Sequence, residues 1–257
     1  MNKVYHIALV TFRESIRSKV LYSVLFFSGV LVLVSAIFGS VTIGDRVKVI
    51  KDFGLMSVSF FSVAFAVISG ASLLHKELNF RTIFNVLSKP VSRGQFLLGK
   101  HIGMFVTTAA IAALMTIALA VFAWCFEGQF DPLLCYAACY VFLELLIVTA
   151  ATIFFSTIVI TPSLSGLFSF SVFLAGRCSS YILSFISNEG ISGFAEVALL
   201  AIYWLLPHVD LMTVSNQVVY GQTMPAIHLC WSALYCIAYA GILLCCASMF
   251  FRLRDFN

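Results

Sequence analysis

Residues 94–101 read GQFLLGKH, and their reading decides what kind of chain this is. The spacing fits G-x-x-x-x-G-K, the loop that cradles nucleotide phosphates, but His101 stands where a Ser or Thr would hold magnesium. A phosphate loop also needs a strand before it and small residues inside it, so that backbone N–H groups converge on the ligand. Here the interior is Gln95, Phe96, Leu97 and Leu98, and the preceding residues are LSKPVSR. The match is a chance one at the start of an apolar run, and no cofactor is expected on this chain.

Outward from that stretch the apolar run continues, and it is one of several. The 257 residues are 61% hydrophobic and 10% charged, with a mean hydropathy of +1.05. Soluble chains carry about 25% charged residues. A helix needs roughly 20 apolar residues to cross a hydrocarbon core of about 30 Å. Runs of that length cover about 20–43, 53–75, 96–126, 133–160, 163–186 and 226–251. The expected fold is an all-α polytopic membrane protein with six transmembrane helices. The whole of 1–257 is read as a single transmembrane domain, with no internal repeat or linker. The first run is too long for a signal peptide and is read as a retained helix.

Charge sets the expected orientation, because Lys and Arg in short loops stay on the cytoplasmic side. Lys3, Arg13, Arg17 and Lys19 precede the first span, Lys76, Arg81, Lys89, Arg93 and Lys100 surround the second loop, and Arg252 and Arg254 follow the last span. With an even number of spans these share one face, placing both termini in the cytoplasm. Arg46, Lys48 and Lys51 lie on the other side and weaken the bias without reversing it. The net charge of +4 thus describes a membrane face and calls for no nucleic acid.

Residues 1–19 carry Tyr5, Leu9, Phe12, Ile16 and Val20 at steps of four and three, with His6, Arg13 and Arg17 on another face. That pattern predicts an amphipathic interfacial helix leading into the first span. The segment 187–225 is only partly polar. Phe194–Leu206 is apolar but too short to cross, so short outer helices are expected before the last span. The eight cysteines all fall in or beside apolar spans, without zinc spacing, and are read as small packing residues.

The loop at 76–95 is unlike a plain hairpin. Leu78, Arg81, Thr82, Phe84, Asn85 and Leu87 predict a short helix ended by Pro90. It is either a basic anchor between two spans or a docking helix for a cytosolic partner, with Phe84 and Leu87 as apolar contacts and Arg81 and Arg93 as charged ones.

The run E-x-x-x-R-T-I-x-x-x-L-S-K-P-V-S-R-x-x-x-x-x-G-K, from Glu77 through Arg81, Thr82, Leu87, Ser88, Lys89, Pro90 and Arg93 to Gly99 and Lys100, resembles the type-2 permeases of type V ATP-binding-cassette (ABC) exporters, NosY-like permeases among them. The resemblance extends along the chain to its basic end, FRLRDFN. It implies a transmembrane permease without enzymatic activity, sitting in a bacterial inner membrane. It implies separate ATPase subunits holding ATP and magnesium, and a second permease copy, usually as a homodimer. It makes Glu77, Arg81, Thr82, Phe84, Leu87, Pro90 and Arg93 the ATPase-docking set. An ion-coupled secondary transporter or channel with six spans is the alternative, although the repeats and interrupted helices of such carriers are not evident.

Two ionisable residues fall deep inside spans, Glu144 and Arg177. Both are nearly equidistant from the turn at Thr161 and Pro162, each roughly 25 Å along its helix at 1.5 Å per residue. Antiparallel neighbours would bring them to one depth, so an intramembrane ion pair is expected, with a structural clamp favoured over a substrate site. Serines line the second and fifth spans, chiefly as helix contacts.

Overall fold

A computed structural model describes residues 2–41, 46–79, 92–128, 131–189, 193–213, 217 and 225–253. Among them are nine α-helices and one 3-10 helix, with no strand. They are α1 (Asn2–Ile16), α2 (Lys19–Val41), α3 (Arg46–Asn79), α4 (Arg93–Glu127), α5 (Leu133–Ile158), α6 (Pro162–Arg177), α7 (Ser179–Glu189), α8 (Phe194–Leu205), the 3-10 turn Val209–Met212, and α9 (Ala226–Leu253).

Local chemistry sets several of these boundaries. Ser92 opens α4 with a capping box, its Oγ accepting from Gln95 N (3.3 Å) while Ser92 N donates to Gln95 Oε1 (3.2 Å). Gly128 closes the helix at φ +70°, a left-handed position that suits a residue without Cβ. Asp131 starts α5 by accepting from Leu133 N at 2.9 Å. Thr161 is extended because Pro162 follows, and Pro162 then takes the first turn of α6, where a missing N–H costs nothing. Leu206 is extended before Pro207 in the same way, and α8 stops there.

Four helices, α3, α4, α5 and α9, are long and apolar enough to cross a membrane, and the number reaches six if two bent pairs are each one span. Those pairs are α1 with α2, bent by 59°, and α6 with α7, bent by 51°. Burial separates the long helices into two kinds. In their most apolar stretches α3 is 72% and α5 67% buried, against 33% for α4 and 28% for α9. The core is therefore the α3–α5 contact, flanked by α2 and α6 on α3 and by α9 on α5, with α4 against both.

Lipid is as apolar as leucine, so close fit, more than hydrophobicity, holds such helices together. A Cβ on Gly54 would enter the space of Leu119, and one on Gly70 that of Met104 and Thr152. Ser156 and Ser165 share a hydrogen bond of 2.7 Å between α5 and α6. Most other buried hydroxyls return to carbonyls one turn back, as Thr152 does to Val148 at 2.8 Å. The outward faces carry Phe26, Ile117, Trp231 and Met249, all more than half exposed and suited to acyl chains.

Three features depart from the sequence expectations. The fifth apolar run is broken at Arg177–Cys178, because Gly176 lies against the Pro207 carbonyl and Arg177 is held by neighbouring helices. The helix of the second apolar run, α3, begins at Arg46, so Lys48, Lys51 and Asp52 are helical. Finally, Cys125, Cys135, Cys139, Cys178, Cys230 and Cys245 are exposed on the helix surfaces, and only Cys236 is buried. The residue type predicted packing, but helix rotation turned most of the thiols outward.

Candidate functional site

The residues of GQFLLGKH are built into a helix, where no phosphate loop could form, since α4 already begins at Arg93. Gly99 and Gly103 lie one turn apart on the face of α4 that meets α1. A Cβ on Gly99 would reach Ile7 and the Val4 carbonyl, and one on Gly103 would reach the Ala8 carbonyl and Thr11. This is close backbone approach through small residues four apart. Lys100 is buried with its ammonium 6.0 Å from the Phe96 ring centre, and His101 Nε2 lies 3.2 Å from Thr149 Oγ1 on α5.

Of the residues expected to dock an ATPase, Arg81, Thr82, Phe84, Leu87 and Pro90 lie outside the described residues. Glu77 falls in the last turns of α3. Arg93 is engaged within the chain: its Nη1 donates to the Phe251 carbonyl at 2.8 Å and its guanidinium sits 5.9 Å from that ring. Phe251 in turn stacks on Phe96, so the start of α4 and the end of α9 close on each other.

At mid-depth, Arg177 Nη1 lies 3.0 Å from Glu144 Oε1. The same Nη1 donates to Ser59 Oγ at 3.0 Å, and Ser59 donates to Glu144 Oε2 at 2.8 Å. A hydroxyl can accept and donate at once, so this triangle of α3, α5 and α6 gives the Ser59 hydroxyl and both Glu144 oxygens a partner. Glu144 is almost fully buried, while the Arg177 side chain is 29% exposed. Beside the triangle is a cavity of about 30 Å³, lined also by Leu55, Met56, Met212 and Thr213. That is room for a water and not for a substrate. In the sequence Ser59 is one of several serines of the second span; linking it to Glu144 requires the rotation of α3, which no spacing gives.

At the far end of the bundle, contacts among the described residues tie helices together. Lys51 Nζ pairs with Asp131 Oδ2 at 2.8 Å, joining the start of α3 to the start of α5. His208 N donates to Tyr235 Oη (3.0 Å) and Tyr239 Oη donates to the Leu205 carbonyl (2.9 Å), strapping the end of α8 to α9. The 3-10 turn packs on α5 and α6. At the opposite end, Lys76 Nζ reaches Glu14 Oε1 at 2.8 Å, and a groove opens between α1, its junction with α2, and α3. Among the described residues no three His, Cys, Asp or Glu side chains converge as metal ligands.

These observations define a multi-pass helical membrane protein in which Glu144 and Arg177 pair inside the helix bundle. A family model described as ABC-2 family transporter protein matches residues 5–255, and the chain belongs to that family. It is thus the membrane subunit of an ABC transporter. No curated protein matches the chain.

Proposed function

We propose that this chain is the permease of a NosY-like type V ABC exporter in a bacterial inner membrane. In this reading it has six spans, formed by α2, α3, α4, α5, the bent α6–α7 pair and α9, with both termini cytoplasmic and a second copy completing a homodimer. ATP and magnesium are held by a separate ATPase subunit. Closure of the ATPase pair acts on α1 and on the 76–95 segment, through Glu77, Arg81, Thr82, Phe84, Leu87 and Pro90, while Arg93 anchors the segment's end to α9.

The observation that carries this reading is the family match over residues 5–255 taken with the glycine-clamped contact of α1 on α4. That contact gives a force applied to α1 a direct path into the bundle. The test is co-purification of the full chain with its ATPase subunit. Arg81→Glu should abolish it and Phe84→Ala should weaken it at least tenfold, with the permease still monodisperse. Transport by the purified chain in vesicles without any ATPase, driven by an ion gradient, would instead establish the secondary-transporter reading.

A further inference from the structure

The groove beside the α1–α2 junction has a volume of about 570 Å³ and is lined in part by Arg13, Glu14, Arg17, Ser18, Ser69 and Lys76. That volume lies within the range of small-molecule sites, about 300–1,000 Å³. Three basic side chains face it against one carboxylate, and that carboxylate, Glu14, is paired with Lys76. Among the described residues neither Arg13 nor Arg17 has an ion-pair partner. The Ser18 hydroxyl in the groove wall is buried and has no hydrogen-bond partner. In the Glu144–Ser59–Arg177 triangle, by contrast, both carboxylate oxygens of Glu144 have a partner within the chain.

We infer that this groove binds a phosphate group, supplied by the headgroup of an anionic lipid. Arg13 and Arg17 provide bidentate donors suited to phosphate oxygens. Ser18 Oγ–H donates to a third oxygen, and its own unmet valence is thereby satisfied. The position selects a lipid as the source. The amphipathic α1 turns through 59° into the apolar α2 at this point, which is where a helix leaves the interface for the hydrocarbon and where headgroups lie. The inference rests on the chain being embedded in a membrane with this end at the cytoplasmic leaflet, and not on any ATPase or transport direction.

The experiment uses the full chain, purified and delipidated, titrated with phosphatidylglycerol or phosphatidylcholine and read by native mass spectrometry. Phosphatidylglycerol should bind preferentially. R13Q/R17Q should lower that preference about thirtyfold, from loss of the charge-assisted bidentate hydrogen bonds to the headgroup phosphate. R13K/R17K, which keeps the charge and loses the planar fork, should lower it by about threefold to tenfold. K3Q/K19Q, which removes equal charge outside the groove, should keep it within about threefold, since solvated charges away from the site are screened. Both arginines are exposed, so these variants should remain monodisperse. An unchanged preference in R13Q/R17Q, or an equal fall in K3Q/K19Q, overturns the site. Displacement of the lipid by millimolar inorganic phosphate, sensitive to R13Q/R17Q, retains the phosphate chemistry and overturns the lipid source. Loss of ATPase-subunit binding in R13Q/R17Q with lipid binding intact also overturns the inference, because the arginines then face an acidic protein surface.

Discussion

Two charged regions of this molecule differ in one respect that separates scaffold from surface. At mid-depth, Glu144, Ser59 and Arg177 satisfy one another within 3.0 Å, around a cavity that holds no more than a water. At the α1–α2 junction, Arg13, Arg17 and the Ser18 hydroxyl line a groove many times larger and find no ion-pair or hydrogen-bond partner among the described residues. Charge removed from water must be matched, so a closed network ties helices together. Charge left open at an interface is available to a ligand.

The strongest way to break that contrast is to unmatch the closed region. Arg177→Leu leaves Glu144 buried without its cation, and the expected loss is about 3–5 kcal/mol, enough to abolish monodisperse protein on size exclusion. The double replacement Glu144→Leu with Arg177→Leu should recover much of the yield, since removing both charges also removes the unpaired one. Normal assembly of Arg177→Leu with transport lost would move the triangle from scaffold to substrate path.

Gly103→Leu is the next test. Its side chain would drive α1 off α4 at Ala8 and Thr11, costing about 1–3 kcal/mol. Tryptic cleavage after Arg13 and Arg17 should then accelerate at least tenfold, while the melting of the α3–α5 core changes little. Lys51→Met, which removes the charged hydrogen bond to Asp131, should lower thermal stability by about 2 kcal/mol. The smallest effect is expected for Ser165→Ala, about 0.6 kcal/mol, the usual size of one hydroxyl contact between helices in lipid.

Much of the helical architecture was legible because a bilayer imposes length and backbone pairing on any segment that crosses it. Apolar runs located α3, α4, α5 and α9, and the four- and three-residue steps from Tyr5 to Val20 located α1. Counting outward from Pro162 set Glu144 and Arg177 at similar distances along α5 and α6, and the two side chains lie 3.0 Å apart. Helix rotation was not legible. It decides that Ser59 completes the triangle and that Cys135 and Cys139 face outward, and a uniformly apolar helix carries almost no signal of which face is which. The break after Arg177 has no proline to announce it, and arises from contact between Gly176 and Pro207, residues far apart in sequence. Gly99 and Gly103 stand four apart in the sequence, but nothing in an apolar helix tells which neighbour that face meets.

The contact of α1 on those two glycines has a mechanical consequence. Fifteen helical residues form a rod about 22 Å long at 1.5 Å per residue. The rod is pinned near Ser18 by the turn into α2 and gripped along its length by α4. At the grip the two glycines meet the Val4 and Ala8 carbonyls and the near ends of the Ile7 and Thr11 side chains, so little flexible side chain separates the two helices. By geometry alone, a rotation of about 10° about the junction would carry the free end of α1 through about 4 Å.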